Sequence, residues 1–140
     1  MVLIKKIFYC FMISLCIGLH MVNGQSSSEE PDPLDEFQEL EGADTKLKFF
    51  VSTPNRYVQS SAYDWLESVK VYLDSAQKIK DSSATYSYRL MQAQLYNDIG
   101  DFDKSIALAN ELYSMTDSLD NKTITLVLKL LDDNYGKLQM

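Results

Sequence analysis

The chain has 140 residues, with 13 Lys and Arg against 20 Asp and Glu, a net charge of −7 and a hydrophobic fraction of 46%. This length allows one ordinary domain, and the share of apolar and aromatic residues excludes a wholly disordered chain. The acidic balance argues against nucleic acid or an anionic membrane surface as the main partner, because both attract clustered Lys and Arg.

Residues 1–24 have the pattern of a secretory signal peptide. Lys5 and Lys6 precede an apolar run from Ile7 to Val22, and Gly24 provides a small residue before Gln25. This apolar run is shorter than the roughly 20 residues that a membrane-spanning helix needs. We therefore predict cleavage after Gly24 and export to the periplasm or the medium, with an uncleaved membrane anchor as the alternative.

Cleavage would remove every Cys and His of the chain, since Cys10, Cys16 and His20 all lie before residue 25. The exported chain would have no disulfide and no thiolate or imidazole ligand for a metal. Nor could it use a mechanism that depends on Cys or His. We expect no catalytic residue, no metal site and no cofactor. The enzymatic alternative is a pair of carboxylates on facing helices.

Two segments precede the part of the chain with helical periodicity. Residues 25–45 hold eight acids, two prolines and no base, a composition that predicts an acidic disordered linker or, alternatively, a docking tail for a basic partner. Residues 46–60 form an irregular lead-in in this prediction, because Pro54 prevents one continuous helix. A short extended piece, or a helical turn on each side of Pro54, fits this lead-in.

From residue 61 onwards the apolar residues recur at helical spacing, and we predict an all-α fold of four antiparallel helices joined by short turns. Gly100 is expected to end the second helix, with Asp101 capping the third. Ser61 and Ser83 are the predicted caps of the first two. The four apolar stripes are Trp65, Val69, Tyr72, Ala76 and Ile79; Tyr88, Met91, Leu95 and Ile99; Phe102, Ile106, Ala109 and Tyr113; and Ile124, Val127, Leu128, Leu131, Tyr135 and Leu138.

The turn between the second and third helices resembles the tetratricopeptide repeat (TPR). In that family a Tyr four residues before Gly-Asp-Tyr-Asp, and a small residue after it, mark the unit. Here Tyr96, Gly100, Asp101, Phe102 and Ser105 fill those places, with Phe for the second Tyr. The resemblance implies an α-solenoid over residues 61–140, in which helix 62–80 ends one unit and helix 119–138 begins another. An unrelated helical bundle is the alternative.

The resemblance also implies a ligand-binding face. The first helix of each TPR unit lines the inner face of the array, and the residues of this chain at those positions are Ser87, Leu90, Gln94, Asn97 and Asp98. We expect a protein or peptide partner there, and no nucleic-acid partner. Membrane contact would come only through an uncleaved signal or a C-terminal continuation of the chain.

Two biological settings fit such a module. Exported TPR-like regions often form the sensory N-terminal part of bacterial membrane-anchored regulators, and by analogy this chain is expected to do the same. The alternative is a stand-alone secreted or periplasmic helical protein with a structural or assembly role. The apolar stripe on the last helix predicts further repeats after Met140, or a partner that covers this end of the array.

Overall fold

The computed structural model describes residues 31–139. The predicted signal peptide and residues 25–30 lie outside the described part. The helices are α1 (Pro33–Glu39), α2 (Ala43–Ser52), α3 (Asn55–Ser60), α4 (Ala62–Lys78), α5 (Ser82–Asp98), α6 (Phe102–Tyr113) and α7 (Asn121–Leu138), with a 3₁₀ turn at Thr116–Ser118. No strand occurs in residues 31–139, so the all-α prediction is confirmed. No helix in this range is long and apolar enough to cross a membrane.

Aspartates begin four of the helices. The carboxylates of Asp32, Asp81, Asp101 and Asp120 accept hydrogen bonds from backbone N–H groups of the first turns of α1, α5, α6 and α7. These caps satisfy donors that a helix start leaves without an intrahelical partner. The predicted cap at Asp101 is confirmed. Ser61 makes no such bond, and Asp81 rather than Ser83 caps α5, which begins two residues earlier than the pattern suggested.

Gly100 ends α5 in the left-handed backbone conformation, with φ of 82°. The N–H of Asp101 then donates to the carbonyl oxygen of Tyr96 at 2.8 Å, which closes the helix end. A Cβ atom at Gly100 would meet no other atom within 4 Å. Glycine is therefore favoured here by its backbone conformation and not by lack of space.

Helices α4, α5, α6 and α7 pack against one another in chain order, while α2 packs on α5, and α5 also contacts α7. The side chains at the centre of this arrangement have no more than 2% of their surface exposed. They include Trp65, Val69, Met91, Leu95, Leu112, Val127 and Leu130. The core is thus formed by one face of each of the four long helices, with α2 added to it.

The structure differs from the predicted disordered linker over residues 33–45, which form α1 and the start of α2. Phe37 has 0% of its surface exposed, and its ring lies 4.9 Å from that of Trp65 and 5.9 Å from that of Tyr72. The acidic residues Asp35 and Glu36 face solvent on the same helix. The run of acids correctly predicted that one face of α1 is exposed to solvent, but it gave no indication that the other face is apolar and buried.

Residues 46–60 are also helical, with the break at Pro54 that the sequence predicted. Lys46 fixes this region to α1, although the ammonium group is almost fully buried. Its Nζ donates to the carbonyl oxygens of Phe37 and Gln38, the second at 3.1 Å. It also lies 4.7 Å from the ring centre of Phe37 and 4.2 Å from that of Tyr72. The carbonyl end of α1 and two aromatic faces together replace water around this cation.

Some members of the predicted apolar stripes are exposed. Ile79 is 76% exposed because it stands at the C-cap of α4, beyond the last turn that packs on α5. Tyr113, Leu128, Tyr135 and Leu138 are about half exposed. The buried row of α7 consists of Thr123, Val127, Leu130 and Asn134, and shares Val127 with the predicted stripe. Thr123 and Asn134 are polar, and their hydrogen bonds to Asp120 and Ser105 allow them to occupy that row.

Candidate binding groove

The inner faces of α2, α5 and α7, together with the α2–α3 turn and α3, enclose a cavity of about 410 Å³ that we call the inner groove. Its apolar lining residues are Leu47, Phe50, Val51, Val58, Leu90, Met91, Leu126 and Leu130. Its polar lining residues are Thr53, Asn55, Gln94, Asp98, Lys129, Asp132 and Asp133. An apolar floor with a few polar groups is the usual make-up of a protein's ligand pocket.

Helical spacing places these side chains together. Leu90, Gln94 and Asp98 follow one another at intervals of four on α5, so they share one face of that helix. Leu47 and Val51 repeat the same interval on α2. The three helices that carry these faces are in mutual contact through α5, which lies against both α2 and α7.

Three of the five predicted ligand-binding residues line the inner groove: Leu90, Gln94 and Asp98. Leu90 is nearly covered and belongs to the groove floor. Asn97 is buried beside it and accepts a hydrogen bond from Nζ of Lys137 at 2.5 Å. Ser87 is half-buried and lies outside the lining. The groove thus contains Leu90, Gln94 and Asp98 of the predicted face, and neither Ser87 nor Asn97.

The contribution of α2 to the groove was missed from the sequence. Leu47, Phe50 and Val51 are spaced as one face of a helix, and this signal was present in residues 43–52. Because of the neighbouring acids, residues 25–45 were predicted to be a linker. Because of Pro54, residues 46–60 were predicted to be irregular. The wall supplied by α7 was equally unexpected, because its apolar stripe was assigned to the opposite side of the helix.

Asp98 is a partly buried carboxylate of the groove. Its Oδ1 accepts a hydrogen bond from Nε2 of Gln94 at 3.2 Å, whereas its Oδ2 is shielded from solvent. Burial raises the pKa of Asp98 above its ordinary value. Hydrogen bonds from Gln94 and Gln59 and the charge of Lys137 act in the opposite direction, and the pKa still ends above normal.

The two lysines near the groove differ in whether they form an ion pair. Nζ of Lys137 lies 2.9 Å from Oδ2 of Asp133 and also donates a hydrogen bond to Asn97, so its charge is already paired. Lys129 is exposed and forms no ion pair with another described residue. Asp132 is likewise exposed at the rim. The groove therefore has a partly buried carboxylate inside and mixed charges at its edge.

The residues of the turn between α5 and α6 have packing contacts. Ser105 is fully buried, and its hydroxyl donates to the carbonyl oxygen of Ala93 at 2.7 Å. Nδ2 of Asn134 donates to the same hydroxyl at 2.8 Å and to the carbonyl oxygen of Leu130 at 2.9 Å. This chain of hydrogen bonds connects α5, α6 and α7. Phe102 and Tyr96 are half-buried beside it.

Within residues 31–139, no group of three or more His, Cys, Asp or Glu side chains is placed to hold a metal ion. No family model, no curated protein and no solved structure matches the chain. A functional conclusion therefore depends on the inner groove and on the residues that line it.

Proposed function

We propose that the chain is a TPR-like interaction module, and that its inner groove binds a segment of a partner protein. One observation carries this proposal: three helices present a continuous apolar floor with polar side chains at its edge, in a cavity of about 410 Å³. Such a surface recognises a peptide by burying some of its side chains in pockets and by making a few oriented polar contacts with it.

The order of helix contacts supports a repeat arrangement. In the proposed array α4 ends the first unit, α5 and α6 form the second, and α7 begins the third. Helix α2 takes the place of the first helix of the first unit, since it lies on α5 and touches α4 through the rings of Phe50 and Trp65, and α5 also contacts α7. Stacked first helices make the inner face of a helical-repeat protein, which is where extended partners bind.

Export is part of the proposal and depends on residues 1–24 alone. Sequencing the N-terminus of the protein recovered from a secreting host tests it directly, since cleavage after Gly24 predicts Gln25 as the first residue. The sensory role in a membrane-anchored regulator extends the proposal by analogy.

A second candidate is a stand-alone exported protein with an assembly role. Leu128, Tyr135 and Leu138 favour it, because they are about half exposed on one face of α7, and exposed apolar patches often mark interaction surfaces. In this version the partner is a second copy of the chain. Sedimentation equilibrium tests it: Leu128→Glu should abolish a dimer that the unaltered chain forms, whereas a monomer at all concentrations contradicts it.

Selection of peptides from a random display library against the full chain tests the groove proposal. Gln94→Trp fills the groove, whereas Gln77→Trp places the same side chain at an exposed site on α4. Selected peptides should lose at least tenfold in affinity for the first variant and keep their affinity for the second. Equal affinity for both variants, or no selected peptide, would contradict the proposal.

A further inference from the structure

We propose that buried polar contacts of α7 act as a rotational lock. They hold this helix with its more apolar row towards solvent, and without them the helix turns by about 100° and buries that row instead. The lock is independent of what the inner groove binds. It decides, however, which side chains of α7 line the groove, since Leu126, Lys129 and Leu130 line it in the orientation that the structure shows.

Helix α7 carries two rows of residues that lie side by side. Each member of the buried row is directly followed in the sequence by a member of what we call the outer row. The buried row is Thr123, Val127, Leu130 and Asn134, and the outer row is Ile124, Leu128, Leu131 and Tyr135. Leu128 and Tyr135 are both 47% exposed. Since successive residues of an α-helix lie about 100° apart, a turn by one residue exchanges the two rows.

Burial of apolar surface alone favours the outer row. All of its side chains are aliphatic or aromatic, whereas the buried row contains the polar residues Thr123 and Asn134. Asn134 has 0% of its surface exposed, and an amide is costly at such a position unless it is hydrogen-bonded. An interaction other than the hydrophobic effect therefore fixes the rotation of α7.

Hydrogen bonds to α5 and α6 supply that interaction. Nδ2 of Asn134 donates to the hydroxyl of Ser105 on α6 at 2.8 Å, and this hydroxyl donates to the carbonyl oxygen of Ala93 on α5 at 2.7 Å. Nζ of Lys137 donates to Oδ1 of Asn97 on α5 at 2.5 Å. Ser105 and Asn97 are buried, so losing either bond leaves a polar group away from water, which is costly.

A turn of about 100° removes both contacts, because Tyr135 and Leu138 then take the places of Asn134 and Lys137. The larger side chain of Tyr135 also requires the helix to move outwards. In coiled coils a buried Asn in an otherwise apolar helix interface fixes the register in the same way, at a cost in stability. The network around Asn134 therefore selects one of two rows that are both able to face the core.

The experiment measures thiol reactivity at one position of each row, in the full chain with both native cysteines replaced by serine. Leu128→Cys reports on the outer row and Val127→Cys on the buried row. Each is combined with Asn134→Leu, which removes the amide and keeps an apolar side chain in its place. Thr125→Leu, at an exposed site of α7, is the matched control. The rate of reaction with an aromatic disulfide reagent is measured for every combination without denaturant.

The lock predicts rate changes of opposite sign at the two positions. With Asn134→Leu, the Leu128→Cys thiol should react about fivefold more slowly or slower still, and the Val127→Cys thiol about fivefold faster or faster still. Thr125→Leu should change neither rate by more than about twofold. Simple destabilisation would instead speed both reactions, because local opening exposes both rows. Any pattern other than opposite changes, including an unfolded Asn134→Leu chain, overturns the lock, since α7 has then not buried its outer row.

Discussion

Phe37→Ala tests whether the acidic N-terminal segment is part of the folded core. Phe37 is 0% exposed and packs against Trp65 and Tyr72. A buried aromatic residue removes roughly 150–250 Å² from water. About 25 cal/mol per Å² converts the lower end of this range into roughly 4 kcal/mol. We use the lower end because the alanine methyl group stays buried, and we expect a loss of about 3–4 kcal/mol, as is usual for this substitution.

Urea unfolding followed by tryptophan fluorescence measures this loss. Trp65 is the single tryptophan of the chain and lies directly beside Phe37, so it reports on the site itself. A total stability of about 5–15 kcal/mol makes the expected change a large fraction of the whole. Tyr63→Ala is the control, because Tyr63 is 69% exposed, and it should change stability by less than about 0.5 kcal/mol. An equally small effect of Phe37→Ala would refute the packing of α1 described above.

Three further perturbations test other parts of the fold and groove. Lys46→Ala removes the ammonium that bonds to two carbonyl oxygens of α1, and should lower the free energy of unfolding by about 1–3 kcal/mol in urea titrations. Asn134→Ala leaves the Ser105 hydroxyl without its buried donor, and should cost a similar amount, about 1–3 kcal/mol, in thermal unfolding. Burial raises the pKa of Asp98, so the stability that this group contributes is complete below its unfolded pKa and is lost as pH rises through its folded pKa. Asp98→Asn should therefore reduce the fall in unfolding free energy between about pH 4 and pH 7.

Matched substitutions define the outcomes that would contradict these predictions. Lys48 belongs to an exposed ion pair with Asp44, so Lys48→Ala should cost less than about 0.5 kcal/mol. An equal loss from Lys46→Ala would show that its buried contacts add nothing. Asn110 is exposed on α6, and Asn110→Ala should have little effect. An unchanged pH profile of the Asp98→Asn variant would contradict the raised pKa of Asp98.

Local signals predicted the four long helices well. Gly100 ends α5 with a positive φ and Asp101 caps α6, as expected from the residue types alone. Both features depend only on residues that are close together in the sequence, so the residue types are enough to predict them. The buried rows of α4 and α5 were also readable, since Trp65 and Met91 lie at the centre of strongly periodic stripes.

The errors lie where tertiary contacts overrode composition. Phe37 is surrounded by acids in sequence, and only the presence of Trp65 and Tyr72 across the fold makes its burial favourable. In α7 the buried row contains Asn134 because Ser105 supplies a hydrogen-bond partner from another helix. Helical periodicity takes account only of the polarity of each residue. It therefore predicted a buried stripe through Leu128 and Tyr135, which are exposed.

The groove was predictable only in part for the same reason. Leu90, Gln94 and Asp98 were predicted on one binding face by the resemblance to a helical repeat. The opposite wall comes from α2 and α7, whose position depends on packing between segments distant in sequence. Residue types alone did not reveal that Oδ2 of Asp98 is shielded from solvent, because that property belongs to the assembled site.

The central claim is that the inner groove binds a peptide, and an NMR titration of the isotope-labelled chain with one peptide selected from the display library tests it most directly. The account predicts that the backbone amides of Val51, Gln94 and Lys129 shift together with one saturation curve, while Tyr63 and Asn110 on outer faces stay unchanged. Shifts confined to the outer faces, or no saturable shift at the groove residues, would contradict it.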